Sequence, residues 1–314
     1  MKPAARCCRA LVAMAVVAAV AGICPAGAAF AAAPPAASAH PRPPAATPTR
    51  AARLESRDEA RLQAELRQAR SAPDAGPAPR VVFIGAALDD ETSAFAGDVQ
   101  LAQARLRALA PQLRSLTLAN GHGPAAWPRA TRRTLREAFA DAARLLDAGA
   151  PSAHRLAIVL LSSHGARDLL ALETPGMRQP SSLTTQQVAR LLQPLGDTPT
   201  LLVISACHAG SMIPALHAPH RVIFAAARAD RSSFGCQPDS HNTYFVEELL
   251  GAMRPGRSLR DWFDATAVSV GARERRMDLS PPSLPQLDIG EAMAGAAELP
   301  LADLLRSASA VPSR

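Results

Sequence analysis

The chain has 314 residues, room for one large domain or two small ones, and a formal charge of +7 at pH 7. Hydrophobic residues make up 48% but aromatics only 4%, so a core must rest on Leu, Val, Ile and Ala, with Phe83, Phe95, Phe139, Phe224, Phe234, Phe245 and Phe263 as its larger pieces. Arginine supplies nearly all the positive charge, and no basic run carries the interleaved aromatics of a nucleic-acid binder, which argues against a nucleic-acid partner.

The chain opens with "MKPAARCCR", a basic segment, followed by an apolar stretch over residues 10–23 that is short for a membrane span and is broken by Pro25. The small residues of "AGAAFAAAPP" then fit a signal-peptidase site, with Ala31 or Ala33 as the last residue removed. Residues 1–31 are therefore expected to be a signal peptide, and the protein to be periplasmic or secreted, touching a membrane only through that signal. An uncleaved anchor is the alternative. Cleavage removes Cys7, Cys8 and Cys24 and leaves Cys207 and Cys236, either a disulfide in an oxidising compartment or thiols kept for chemistry.

Residues 32–78 read as an Ala/Pro-rich linker. Its charged middle, "AARLESRDEARLQAELRQAR", can form a helix but lacks a strong apolar stripe and is expected to stay solvated as a spacer. The folded domain is expected over residues 79–300, with residues 301–314 as a tail.

Within that domain "PRVVFIGAA" is an apolar run suited to a strand buried on both faces. Phe95, Val99, Ala102, Leu106 and Leu109 recur at helical spacing, and "LRSLTLAN" gives a second strand. Leu135, Phe139, Ala142, Leu145 and Leu146 mark another helix, with Gly149 placed to cap its end. The third strand is "HRLAIVLLSSHG". A capping box, Thr184 with Gln187, then starts a helix bearing Val188, Leu191, Leu192 and Leu195, with Leu183 and Val188 as its staple. "TLLVISAC" and "HRVIFAAA" are the fourth and fifth strands, helices follow over residues 243–253 and 259–270, and "PQLDIG" can add a last strand. Strands alternating with amphipathic helices imply a parallel sheet covered on both faces, an α/β layered domain.

Ligands of open α/β sheets bind at the carboxyl ends of strands. The third strand ends at His164, with Gly165 next, and the fourth ends at Cys207. One helical crossover between neighbouring strands would bring both to one rim. A helix beginning around His208 would favour the Cys207 thiolate through its dipole, His164 could move the proton, and the N–H groups of Gly165 and Cys207 could hold an oxyanion. A buried cysteine after a strand is also an ordinary packing residue, and that reading stays open on these residues alone. His164, Cys207, His208, Cys236 and His241 are conceivable zinc ligands, but their spacing is irregular, so no metal and no cofactor is expected. Ser211 lies a turn inside the helix rather than at its tip.

The blocks "LLSSHG", "LLVISACHAGSMIPAL", "VIFAAARADRSSFGC" and "TYF", in this order and spacing, resemble the legumain-type cysteine peptidases, the C13 family of the caspase-like clan, and in particular its bacterial exported members. The resemblance runs from about residue 80 to residue 290, from "VVFIGAA" to "PPSLPQLDIG". It implies a caspase-like three-layer α/β sandwich with a mostly parallel central sheet. It also implies a Cys–His dyad at Cys207 and His164, an oxyanion hole at Gly165 and Cys207, a peptide or protein substrate, and a substrate edge over residues 226–233. Legumains carry an acidic residue two before the nucleophile, where this chain has Ser205, and an Asn and a basic residue after the first strand, where "GAALDDETS" has neither. The dyad carries over and the asparagine preference does not. Ser205, Arg231 and Ser232 are the candidate substrate-binding residues, and Arg228 or Arg231 would suit an acidic group. Cys236 belongs to a resembling block, so its presence does not require a disulfide. Asp230 with Arg231 reads more simply as a local ion pair, and Tyr244 and Trp262 as packing of the last helices. A non-catalytic peptide-binding scaffold of the same fold is the other reading, and the sequence leaves the oligomeric state open.

Overall fold

Helix α1 (Arg50–Ser71) is followed by β1 (Arg80–Ala87), α2 (Ala94–Leu109), β2 (Arg114–Ala119), α3 (Arg132–Asp147) and β3 (Arg155–Ser162). Three short strands, β4 (Gly165–Ala166), β5 (Leu169–Ala171) and β6 (Ser182–Thr184), lead into α4 (Thr185–Leu192) and β7 (Thr200–Ser205). The chain continues through α5 (Ile213–Leu216), β8 (Arg221–Ala225), α6 (Tyr244–Ala252), α7 (Leu259–Arg276), β9 (Gln286–Ile289) and α8 (Leu301–Arg306). This computed structural model describes residues 49–71, 80–148, 154–173 and 181–306. The expected signal peptide, the cap at Gly149 and most of the expected tail lie outside the described residues.

Six strands form the central sheet in the order β2-β1-β3-β7-β8-β9. The first five run parallel and β9 closes the sheet antiparallel to β8. The continuous apolar runs read from the sequence are the buried strands: every residue of β1, β7 and β8 is buried. Alternation along them divides the core in two. Val81, Phe83, Ile158, Val203 and Phe224 pack toward α2, α6 and α7, while Val82, Ile84, Val159, Ile204 and Ile223 pack toward α1, α3 and α4. The result is the expected three-layer α/β sandwich with a mostly parallel sheet.

Helix starts follow their caps. Thr184 and Gln187 form the expected capping box of α4, and Leu183 and Val188 are both buried. Thr243 caps α6, accepting from Val246 N–H, and Ser258 caps α7. The last long helix runs to Arg276 rather than Val270 because its extra turns are tied down: Arg273 pairs with Glu247 and Glu248 and lies 3.8 Å over the Tyr244 ring, while buried Glu274 accepts from Ser283 N–H. Trp262 is buried and donates to the Leu249 carbonyl at 2.6 Å. Tyr244 and Trp262 therefore pack the late helices as expected.

One expectation fails. The charged segment expected to stay a solvated spacer is α1, and it packs on the domain with Leu62, Leu66 and Ala69 buried. Its polar residues complete the contact. Glu65 Oε2 accepts from Thr117 N–H at 3.2 Å and Thr117 Oγ1 at 2.7 Å, and Asp58 pairs with Arg129 at 2.7 Å. Since β2 is an edge strand, Glu65 satisfies a backbone donor that would otherwise face solvent.

Candidate active site

Strands β3 and β7 are parallel neighbours, paired from Ala157–Thr200 up to Ser162–Ser205. His164 and Cys207 therefore each lie two residues beyond the same rung, at the carboxyl edge of the sheet. Ser163 N–H donates to Ser205 O at 3.1 Å and carries the pairing one step further. The loops then meet at Gly165: a Cβ there would lie 2.5 Å from the Cys207 carbonyl oxygen and 3.4 Å from the Cys207 nitrogen. Ser163 Oγ donates to Ala171 O at 2.8 Å and Ala171 N–H to His164 O at 2.9 Å, so the histidine loop is also held by β5.

The imidazole of His164 rests edge-on against Phe95 of α2, ring centroids 4.9 Å apart. Its Nε2 lies 3.0 Å from Glu91 Oε2 but has no partner in hydrogen-bond geometry, so the contact is one of charge, made when the ring is protonated. Asp89, buried behind Glu91, accepts Glu91 N–H at 2.8 Å. Burial raises the Asp89 carboxyl above its ordinary range, opposed in part by the Glu91 N–H bond and, less, by the neighbouring His164. Both acids follow β1, the strand beside β3, so a third strand end reaches the rim. "LDDE" after a buried strand was the available signal for them, and no pattern of spacing pointed to it. Donor atoms of Asp89, Glu91 and His164 lie within 4.8 Å of one another, the one group among the described residues that could hold a metal ion. His208, Cys236 and His241 do not join it.

Cys207 Sγ accepts from Ser233 N–H at 3.3 Å and lies 3.6 Å from the Ser233 carbonyl oxygen. The sulfur thus has a donor for a thiolate and an acceptor for a thiol. The helix expected to begin at His208 is shorter than that reading required. His208 is left-handed (φ 58°), residues 209–212 form a 3-10 turn, and α5 has four residues. So short a helix offers little dipole, and the donor that does reach the sulfur is the Ser233 amide. Ser211 Oγ is engaged by Asp168 N–H and the His208 carbonyl, each at 2.8 Å.

The expected substrate residues divide. Ser205 is fully buried and its hydroxyl meets Thr243 Oγ1 at 2.9 Å, on the α2/α6 side of the sheet, so it lines no surface and cannot contact a substrate. Ser232 is exposed, but the residue touching the sulfur is its neighbour Ser233. Arg231 is beside the site: its carbonyl accepts His208 N–H at 2.8 Å and its guanidinium reaches Asp230 at 2.9 Å. Arg228 grips the same carboxylate with two bonds, at 2.6 and 3.0 Å, and together they hold Asp230 down to about 2. The ion pair expected there is real and involves both arginines. Cys207 and Cys236 are free thiols, and burial, reinforced by the nearby Cys207, pushes Cys236 up to about 11. A cavity of about 550 Å³ lies between α1 and α3, lined by Asp58, Arg129 and Arg133, none of them residues of this rim.

The model of the peptidase C13 family matches residues 154–264, the segment that holds both His164 and Cys207. This chain is similar to the legumain-type cysteine peptidases. The match suggests a cysteine peptidase. Among solved structures the chain is similar to caspase-1 from Spodoptera frugiperda, at 12% identity and a TM-score of 0.46, over 67% of this chain and 86% of that one. No curated protein matches the sequence.

Proposed function

We propose that the chain is an exported cysteine endopeptidase, with Cys207 as nucleophile and His164 as acid and base. The observation that supports this reading is the rung Ser162–Ser205, beyond which His164 and Cys207 each follow by two residues on adjacent parallel strands. His164 takes the thiol proton, and Cys207 Sγ attacks the peptide carbonyl. The tetrahedral oxyanion is held by the N–H groups of Gly165 and Cys207, whose backbones adjoin. His164 then gives its proton to the departing amine, leaving an acyl-enzyme. Water, activated by the same imidazole, releases the acid; an amine in place of water would make the reaction a transpeptidation. Glu91 and Asp89 favour the imidazolium at the stage when it carries the proton. Export rests on the basic and apolar segments that open the chain.

A peptidyl acyloxymethyl ketone tests the reading, since an activated thiolate displaces its carboxylate and is left alkylated as a thioether. Wild type is expected to be labelled at Cys207, with labelling abolished in Cys207→Ala and strongly reduced in His164→Ala. Equal labelling of wild type and Cys207→Ala overturns it.

A further inference from the structure

On the α2/α6 side of the sheet the inward positions of β3 and β7 are apolar, Leu160 and Val203, until the last paired rung, where both are serine: Ser162 and Ser205. Beneath that rung sits Asp98 of α2, fully buried, one turn after the Phe95 that backs the His164 ring. Asp98 Oδ2 accepts from Ser162 Oγ at 2.7 Å and from Thr243 Oγ1 at 2.8 Å. Its Oδ1 accepts from Thr243 N–H at 2.9 Å, with Asn242 Nδ2 at 3.4 Å. Thr243 has one hydroxyl proton and gives it to Asp98, so in the 2.9 Å contact with Ser205 the proton comes from Ser205. Ser162, Asn242 and Thr243 thus donate directly to one carboxylate, and Ser205 donates to it by way of Thr243.

We propose that Asp98 is the positioning residue of the dyad, an anion beneath the sheet that fixes the end of β3 through Ser162 and the end of β7 through Thr243 and Ser205, and with them the alignment of His164 and Cys207. The inference rests on the reading of these two residues as a dyad. A neutral Asp98 carries an O–H of its own into a shell made only of donors. One hydroxyl must then turn round, and reversing Thr243 reverses Ser205 with it, which loosens both strand ends. The groups facing Asp98 are Ser162 from β3, Ser205 from β7 by way of Thr243, and Asn242 and Thr243 ahead of α6. All are uncharged, and among the described residues no cation bonds to it to fix its charge. Burial accordingly raises its carboxyl to about 7 against four stabilising hydrogen bonds, so the alignment switches near neutrality.

The test needs no substrate: the full chain is alkylated with iodoacetamide from about pH 5 to about pH 9 and the rate at Cys207 is read by peptide mass spectrometry. In wild type the rate is expected to show a step near pH 7 in addition to thiolate formation. Asp98→Asn, the neutral isostere, is expected to lose the step and to react roughly tenfold slower above it, the effect of about one lost hydrogen bond in the alignment. Ser162→Ala removes one donor from the carboxylate and is expected to move the step to higher pH, which a merely structural role would not do; it decides the matter alone if Asp98→Asn does not fold. Unchanged profiles in natively folded variants overturn the proposal. A step that responds to both variants in a protein cleaving no peptide leaves this inference standing and removes the peptidase reading instead.

Discussion

Gly165 and Cys207 are in backbone contact: the position a Cβ would take on Gly165 is 2.5 Å from the Cys207 carbonyl oxygen and 2.9 Å from the Ala206 Cβ. The loops after β3 and β7 can approach this closely only because one of them carries no side chain at that point. Backbone, unlike the end of a flexible side chain, cannot step aside cheaply.

Gly165→Ala is therefore expected to push the two loops apart and cost about 1–3 kcal/mol, read as a lower melting temperature. Alkylation of Cys207 and labelling by a peptidyl ketone should fall much further than stability does, because the displacement acts on the reacting pair. A variant that keeps wild-type labelling would show that the close approach is unrelated to the site.

The pair of arginines on Asp230 gives the proposed substrate edge a testable preference. One carboxylate is shared by Arg228 and Arg231, which leaves excess positive charge on the loop whose Arg231 carbonyl accepts the His208 N–H. Asp230→Asn removes the anion that occupies both guanidiniums, so peptides with an acidic residue at the cleavage site are expected to gain, with KM falling several-fold relative to their amide counterparts. The wild-type loop should be insensitive to mild acid. A carboxyl held down to about 2 contributes stability that is present above its ordinary 3.8 and is lost only as pH falls toward 2. A kinetic comparison of Asp- and Asn-containing peptides in both proteins checks the first point, and equal KM ratios would remove it.

Strand and helix positions were legible because buried parallel strands are continuous apolar runs and the helices show their stripes and caps. The rim was legible too, since His164 and Cys207 both end such runs. What the sequence concealed was polar and long-range. Asp98 interrupts the apolar face of α2 and looks like a solvated acid until Ser162, Asn242 and Thr243 are brought around it from other elements. Ser205 appears free to face a substrate because nothing local shows which side of the sheet it takes. Glu91 reaches His164 only through the pairing of β1 with β3. Ser233, which touches the Cys207 sulfur, is passed over beside Ser232 because the loop has no periodicity and no pattern fixes the facing.

The helix α1 escaped for a related reason, since half of its attachment is made by acids. Leu62→Ala is expected to cost about 2–5 kcal/mol, as for a fully buried leucine. Glu65→Leu leaves the Thr117 N–H and hydroxyl without their acceptor and should cost about 1–3 kcal/mol. A chain truncated to begin at residue 79 uncovers the β2 edge and is expected to self-associate. Urea unfolding of the variants and light scattering of the truncated chain check these outcomes; a monomeric truncated chain of unchanged stability would restore the helix to the status of a spacer.

The charge on Asp98 should also be visible in stability, with a sign opposite to its effect on the dyad. Its carboxyl titrates at about 7 in the fold and near the ordinary 3.8 when unfolded. Between those values the folded state holds a proton that the unfolded state has released, so stability falls as pH rises through the window, by about 1.4 kcal/mol per unit at most. Asp98→Asn does not titrate. The difference in unfolding free energy between wild type and Asp98→Asn isolates this group from every other carboxylate, and it is expected to shift in favour of the variant from pH 3.8 up to about 7 and then level off. On the proposed alignment the ionised cluster orders the ends of β3 and β7 at a cost in global stability, and Cys207 should react fastest where the fold has lost the most through this group. A wild-type-minus-variant difference that is flat across the window would mean that Asp98 keeps one charge state throughout, and its alignment of the strands would then carry no dependence on pH.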